Sequence, residues 1–257
     1  MSTEKYSSFD VRLSDISNDV GRDIPSRKAV IRADNGRTLA IVSDKYELIE
    51  HDYVLETIRP LMTQMGKYKE SVTLDRNGCI MNCVFTYRDN VIPLKVGDKV
   101  GMQIFARNSY DGTSSLVIKI GALVLSCLNG MISSGPNFKN IYVRHTVGKM
   151  QQKAEIAMPL PEQFSVMFKN VVSQWDTYSA IPLPEAMKRN ALGYYRSQGI
   201  IGLEAEYAGD AMKMPTVWDL MQFLTHDITH NRPKMTQESR LRLLEKVDRL
   251  IARVAKI

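Results

Sequence analysis

The chain has 257 residues, with 34 Lys+Arg against 28 Asp+Glu and a formal charge of +6. A hydrophobic content of 44% with 24% charged residues excludes a disordered tail protein and suits one large domain or two small ones. The densest apolar stretch, Leu116 to Leu128, is broken by Lys119 and Ser126, so no membrane span is expected. Met1 to Asp10 is polar and has no apolar signal region, which points to the cytoplasm and to reduced thiols at Cys79, Cys83 and Cys127.

Residues 1–28 read as a polar lead-in. Ala29 to Asp34 and Thr38 to Ser43 read as a β-hairpin around Asn35-Gly36, a pair that supplies the positive φ of a tight primed turn. His51 to Met65 reads as a helix, because Val54, Leu55, Ile58, Leu61, Met62 and Met65 recur at three-and-four spacing. A second hairpin spans 72–88 around Asn77-Gly78. Val100 to Arg107 and Ser115 to Leu125 are strand candidates joined by Asp111-Gly112, and Ile141 to Val147 is another.

From Pro161 the pattern turns helical. Gln163 to Val172, Pro184 to Tyr195 and Pro215 to about His230 are predicted helices. A last helix, capped by Thr236, runs to Ile257 over the apolar stripe Leu241, Leu244, Val247, Ile251 and Val254. The expected fold class is α+β. A β-rich part (29–154) with antiparallel hairpins and one helix follows the lead-in, and a helical part (155–257) packs on it.

Charge is uneven. Residues 51–150 carry twelve basic and seven acidic residues, and no Asp or Glu lies between Asp111 and Glu155. That window holds Lys119, Lys139, Arg144, His145, Lys149 and Lys153, with Phe138 and Tyr142 among them. Cations interleaved with rings suit single-stranded nucleic acid, where cations meet phosphates and rings stack on bases. A buried strand pair would also lack carboxylates, so the window alone leaves both readings open.

Catalytic signatures are missing. There is no GxSxG elbow, no Walker loop (Gly148-Lys149 lacks the upstream glycine) and no GxGxxG after a strand. Glu204 and Glu206 are a lone acidic pair, too few for two-metal nuclease work. His226 and His230 share a helical face at metal-ligand spacing, but no carboxylate-rich segment completes a shell. Cys79 and Cys83 on a strand stand about 13 Å apart, so small buried thiols are expected rather than a zinc site. Trp175, Tyr178, Trp218 and Phe223 fit a helical core. Arg242, Lys246, Arg249, Arg253 and Lys256 form a basic stripe on the last helix, which reads as a solvated face partly neutralised by Glu245 and Asp248.

One stretch is specific: Arg107-Asn108-Ser109-Tyr110-Asp111-Gly112-Thr113-Ser114, followed by Cys127-Leu128-Asn129-Gly130-Met131. It resembles the phage- and plasmid-borne family catalogued as the domain of unknown function number nine hundred thirty-two. Ser43-Asp44-Lys45-Tyr46 with Ile49 and His51, and Thr216-Val217-Trp218-Asp219 with Phe223-Leu224-Thr225, resemble its outer segments. The resemblance spans roughly residues 38 to 250 and implies a mobile-element origin. More distantly, the plan is similar to Rad-fifty-two-like single-strand annealing proteins.

The two turns of the motif, Asn108 to Ser114 between two strands and Asn129-Gly130 directly after an apolar strand, either fix hairpin geometry or form a donor-lined rim for phosphate. The first reading is a cofactor-free single-stranded DNA-binding and annealing protein of a phage or plasmid, and not an enzyme. It would act in recombination in the bacterial cytoplasm as a homo-oligomer, in a ring or filament. Fourteen methionines suit adaptable self-association surfaces. The expected contacts are Arg107, Asn108, Lys139, Tyr142, Arg144, Lys149 and Lys153. The alternative is an interaction protein that blocks a host defence or restriction system.

Overall fold

The Asn35-Gly36 hairpin forms with a longer connection than a primed turn needs. In the computed structural model, which describes residues 8–126, 128–132, 141–145, 161–197, 210–211 and 213–255, β2 (Asp23–Arg32) pairs antiparallel with β3 (Thr38–Ser43). The loop is closed by hydrogen bonds from Arg32 N to Arg37 O (2.9 Å) and from Gly36 N to Arg32 O (3.0 Å). Gly36 takes a φ of +70°, the left-handed region that favours glycine.

β1 (Val11–Ser17) adds to β2 with Val11 opposite Arg32 and Leu13 opposite Val30. The lead-in therefore contains a strand. Its alternation is faint, because Val11 is buried while Leu13 is 37% exposed. The resulting sheet has the order β1-β2-β3.

α1 (His51–Gln64) buries His51, Val54, Leu55, Ile58 and Met62, the stripe seen in the sequence. Pro60 sits inside the helix on its exposed side. A second sheet has the order β4 (Lys69–Asp75), β5 (Ile80–Pro93), β6 (Lys99–Ser109), β7 (Leu116–Val124) and β8 (Asn129–Ile132), with β9 (Ile141–Val143) also on β7. β8 pairs with Gly121 to Val124, and β9 with Leu116 to Ile118. Asn129-Gly130 is thus strand rather than turn. The positive φ before it belongs to Leu128 (55°), a residue no turn rule singles out.

Among the described residues four long helices follow: α2 (Pro161–Ala180), α3 (Glu185–Ser197), α4 (Val217–His230) and α5 (Gln237–Val254). Thr216 and Asp219 form a reciprocal capping box on α4. Thr236 caps α5 by accepting from Ser239 N. α5 buries Leu241, Leu244, Val247, Leu250, Ile251 and Val254, and it packs on α3, α4 and β8. The architecture is α+β, with antiparallel sheets and one helix first and helices after.

The chain divides into two compact units. The first comprises the described residues of 1–85, 104–119 and 140–162, and the second those of 86–103, 120–139 and 163–257. The division differs from the expected cut near residue 154, since the boundary crosses β5, β6 and β7.

Candidate functional site

The first unit buries an unusual set of polar side chains. His51, at the start of α1, is 1% exposed and its ring stacks on Tyr110 at 3.8 Å between centroids. His51 Nε2 lies 3.0 Å from Gly78 O. A carbonyl only accepts, so Nε2 carries the proton and Nδ1 is an acceptor. Asn108 Nδ2 fills that role, donating to His51 Nδ1 (3.0 Å) and to Ile49 O (2.9 Å). The Tyr110 hydroxyl accepts from His51 N at 2.8 Å. Burial holds the imidazole neutral and lowers its pKa to about 4.

Local backbone explains why the sequence supports this network. Arg76, Asn77 and Gly78 all take positive φ at the β4–β5 turn, which aims Gly78 O at His51. A Cβ on Gly78 would stand 2.7 Å from Phe9 Cζ, so the position needs glycine for space as well as for its φ of +94°. Phe9 packs edge-on to His51 and Tyr110, with the Arg32 guanidinium 3.8 Å over its ring.

Next to this network lies a cleft of about 450 Å³, lined by residues that include Arg27, Ile41, Ser43, Asp111, Arg144 and His145. Arg27 faces Ser43 across the β2–β3 pair, and Ile41 lies two residues from Ser43 on the same exposed face. Tyr46 stacks on His145 at 5.1 Å with an interplanar angle of 8°, and donates its hydroxyl to Ser109 O at 2.8 Å. Burial raises the Tyr46 phenol above its ordinary range and lowers the His145 imidazole.

His145 Nδ1 donates to Glu47 O (3.3 Å), which leaves Nε2 as an acceptor with no hydrogen-bond partner among the described residues. The β6–β7 loop is clamped by Ser109, whose Oγ donates to Ser114 O (2.8 Å) and accepts from Ser114 N (3.1 Å). Burial opposes ionisation of Asp111, but hydrogen bonds from Thr113 and the Arg76 charge outweigh it and hold the carboxyl below its usual range.

Several expected contacts fall elsewhere. Asn108 is fully buried and bonded to His51 and Ile49, so it forms no rim for phosphate. Arg107 on β6 is half-buried. The two motif turns do not share an edge, since one precedes β7 and the other pairs back onto its last residues. Tyr142 is 57% exposed and Arg144 is exposed, while Ile141, Val143 and His145 alternate inward. Lys119 Nζ sits 5.7 Å from the Tyr142 ring centroid. Lys139, Lys149 and Lys153 lie outside the described residues.

The cleft residues Arg27 and Ile41 were not singled out in the sequence, and Ser43 was singled out only as the first residue of an outer family motif. They meet Asp111 and Arg144 only through the β2–β3 register and the loop closures, which no local spacing encodes.

Cys79 and Cys83 are buried free thiols. Cys79 donates to Leu39 O, and burial pushes its pKa up to about 11. His226 and His230 are exposed on α4 with ring centroids 4.7 Å apart. Among the described residues no group of three His, Cys, Asp or Glu is placed to hold a metal ion. No described helix is long and apolar enough to cross a membrane.

A family model described as a domain of unknown function (DUF932) matches residues 38–248, so most of the chain is covered and the chain belongs to that family. The match takes in Tyr46, His51, Asn108 to Ser114, Arg144 and His145. No curated protein and no solved structure matches the chain.

Proposed function

We propose that this protein binds single-stranded DNA and promotes annealing of complementary strands, acting as a homo-oligomer in the recombination of a phage or plasmid, as Rad-fifty-two-like annealing proteins do. The observation that carries the reading is the alternation at β9. Tyr142 on β9 and Arg144 just past its end are both exposed, one ring and one cation two residues apart. A single strand needs that pairing, with phosphates held by guanidinium groups and bases stacked on a side chain. Arg144 also borders the cleft, where Arg27 supplies a second cation.

The mechanism is electrostatic and geometric. Cations hold the backbone extended and leave base edges open to a second strand, so no covalent step and no cofactor is required.

The test is fluorescence anisotropy with a labelled oligonucleotide at low salt, coupled to an annealing-rate assay on complementary strands. The expected result is binding that falls steeply with salt and faster annealing. Tyr142→Ala should weaken binding by about 1–3 kcal/mol while leaving the salt dependence nearly unchanged. Absence of binding by the folded protein at low salt would overturn the proposal.

A further inference from the structure

The edges of the two sheets are not protected alike. An open edge offers unpaired N–H and C=O groups to another strand, so proteins blunt it with charge, bulges or short length. β1 carries Arg12 and Asp15 within it and shifts register between Asp15 and Ser17. On β3 the Leu39 carbonyl is taken by Cys79 Sγ. β8 has four residues and β9 three. β4 has seven residues, no proline, and an uncharged centre of Ser71, Val72 and Thr73. Among the described residues it pairs only with β5. None of its residues is buried, whereas β6 and β7 of the same sheet are buried along most of their length.

β4 is also held in place. Arg59 of α1 donates to Glu70 through Nε (3.1 Å) and Nη2 (2.7 Å), and Leu74 packs against the cluster of Phe9, Val11 and Val30. Asp75 accepts from Asn82 Nδ2 at 3.0 Å. An edge already ordered in this way loses little freedom when another strand adds to it.

The sequence of β4 is complementary to itself in reverse. Laid antiparallel on the same strand of a second copy, with Val72 opposite Val72, it sets Lys69 opposite Asp75 and Ser71 opposite Thr73, each twice. These pairs lie on one face of the strand, and opposite charges and paired hydroxyls are favourable cross-strand neighbours. Glu70, already paired with Arg59, meets Leu74 on the other face. A register moved by two residues breaks both ion pairs.

We infer that β4 is the contact through which two copies of this chain join, edge to edge about a two-fold axis at Val72. The contact is isologous and closes at two copies. It rests on the self-association proposed above and needs no DNA.

The experiment is sedimentation velocity of the full chain without DNA, up to about 100 μM. The parent should sediment with the mass of two chains. Lys69→Glu changes an exposed side chain, puts a carboxylate opposite Asp75 at both ends of the contact, and should weaken the dimer at least about tenfold at an unchanged melting temperature. Mild oxidation reads the register. Val72→Cys should form a disulfide-linked dimer, because residues directly opposite stand about 4.5–5.5 Å apart between Cα atoms. Lys69→Cys should not, since its two copies would lie about 20 Å apart. The parent run alongside gives the background of the native thiols.

A monomer at the highest concentration, a dimer as tight in Lys69→Glu as in the parent, or crosslinking of Lys69→Cys as readily as of Val72→Cys would each overturn the inference. Where Val72→Cys lowers the melting temperature, the Lys69→Glu comparison decides alone. A β4 dimer that ignores the labelled oligonucleotide keeps this contact and sinks the strand reading, and a monomer that binds and anneals strands does the reverse.

Discussion

The two compact units bury different things. The first hides His51, Asn108, Ser109, Tyr110 and His145, a polar set whose hydrogen bonds fix ring tautomers and loop positions. The second hides Trp175 and Trp218, with ring centroids 5.6 Å apart, beside Phe164, Phe168, Leu220 and Leu224. It also buries Gln103, Thr225, Asp227 and Asp248, and its polar links include Asp98 accepting from Trp218 Nε1 (3.1 Å) and Gln222 Nε2 (3.3 Å), Asp176 accepting from Lys95 N (2.8 Å), and Asp227 pairing with Arg232 (2.6 Å). An apolar interior stabilises through area and packing, which many sequences supply. A polar interior is stable only when each partner is present, so it constrains residue identity and geometry together.

The largest effect should come from the second unit's interior. Trp218→Ala removes a nearly fully buried indole and should cost about 3–5 kcal/mol in a urea unfolding curve. Trp218→Phe should cost more than Trp175→Phe, because only the Trp218 N–H has a described partner to abandon. A loss near zero for Trp218→Ala would mean that the indole pair does not hold this unit together.

Acid should act through the first unit. The folded-state pKa of His51 is about 4, below the ordinary 6.5, so the unfolded chain binds the proton more readily. Stability is full above pH about 6.5 and falls as pH drops towards about 4, by about 3 kcal/mol in all. His145 is shifted the same way. Urea midpoints at pH 7 and pH 4.5 measure the loss. His51→Gln should be less stable at pH 7 but should lose less on acidification. Equal acid losses in parent and variant would remove His51 as the cause.

Backbone geometry should matter next. Gly78→Ala meets Phe9 at 2.7 Å in a left-handed conformation, whereas Gly36, also left-handed, has open space. Gly36→Ala should cost roughly 1 kcal/mol from φ alone, and Gly78→Ala should cost clearly more, about 2–3 kcal/mol with the displaced ring. Similar thermal shifts for the two would mean that the ring moves aside freely.

The same contrast explains what could be read in advance. α1, α5 and the hairpins announced themselves through periodicity and turn chemistry, because apolar spacing and Asn-Gly or Asp-Gly pairs are local signals. β1 did not, since its second apolar residue, Leu13, stays partly exposed. β8 was mistaken for a turn because Asn129-Gly130 is a turn pair by composition, while the chain reverses through Leu128. Asn108 looked like a surface donor because it stands in a polar run. Its burial follows from His51, far away in the sequence, offering Nδ1 as an acceptor. Tyr142 and Arg144 were legible as a ring and a cation, but their exposure on either side of the buried Val143 appeared only in the structure.

The smallest effect discriminates best between the units as DNA surfaces. Arg144 lies on the outer face beside β9, and Arg249 is an exposed cation of the α5 stripe. Each phosphate contact on a single strand contributes about 0.7 to the slope of log affinity against log salt. Arg144→Ala should therefore lower the slope magnitude by about 0.7 and weaken binding without regard to sequence, while Arg249→Ala should leave both unchanged. Neither change touches a buried side chain, so melting temperatures should stay at the parent value and exclude core damage. An anisotropy series across salt concentrations reads both variants. A slope change confined to Arg249→Ala would move the strand to α5 and detach it from the cleft. Equal changes in both would describe a strand that engages both units. A change confined to Arg144→Ala would tie strand binding to the unit whose interior is built from matched polar partners.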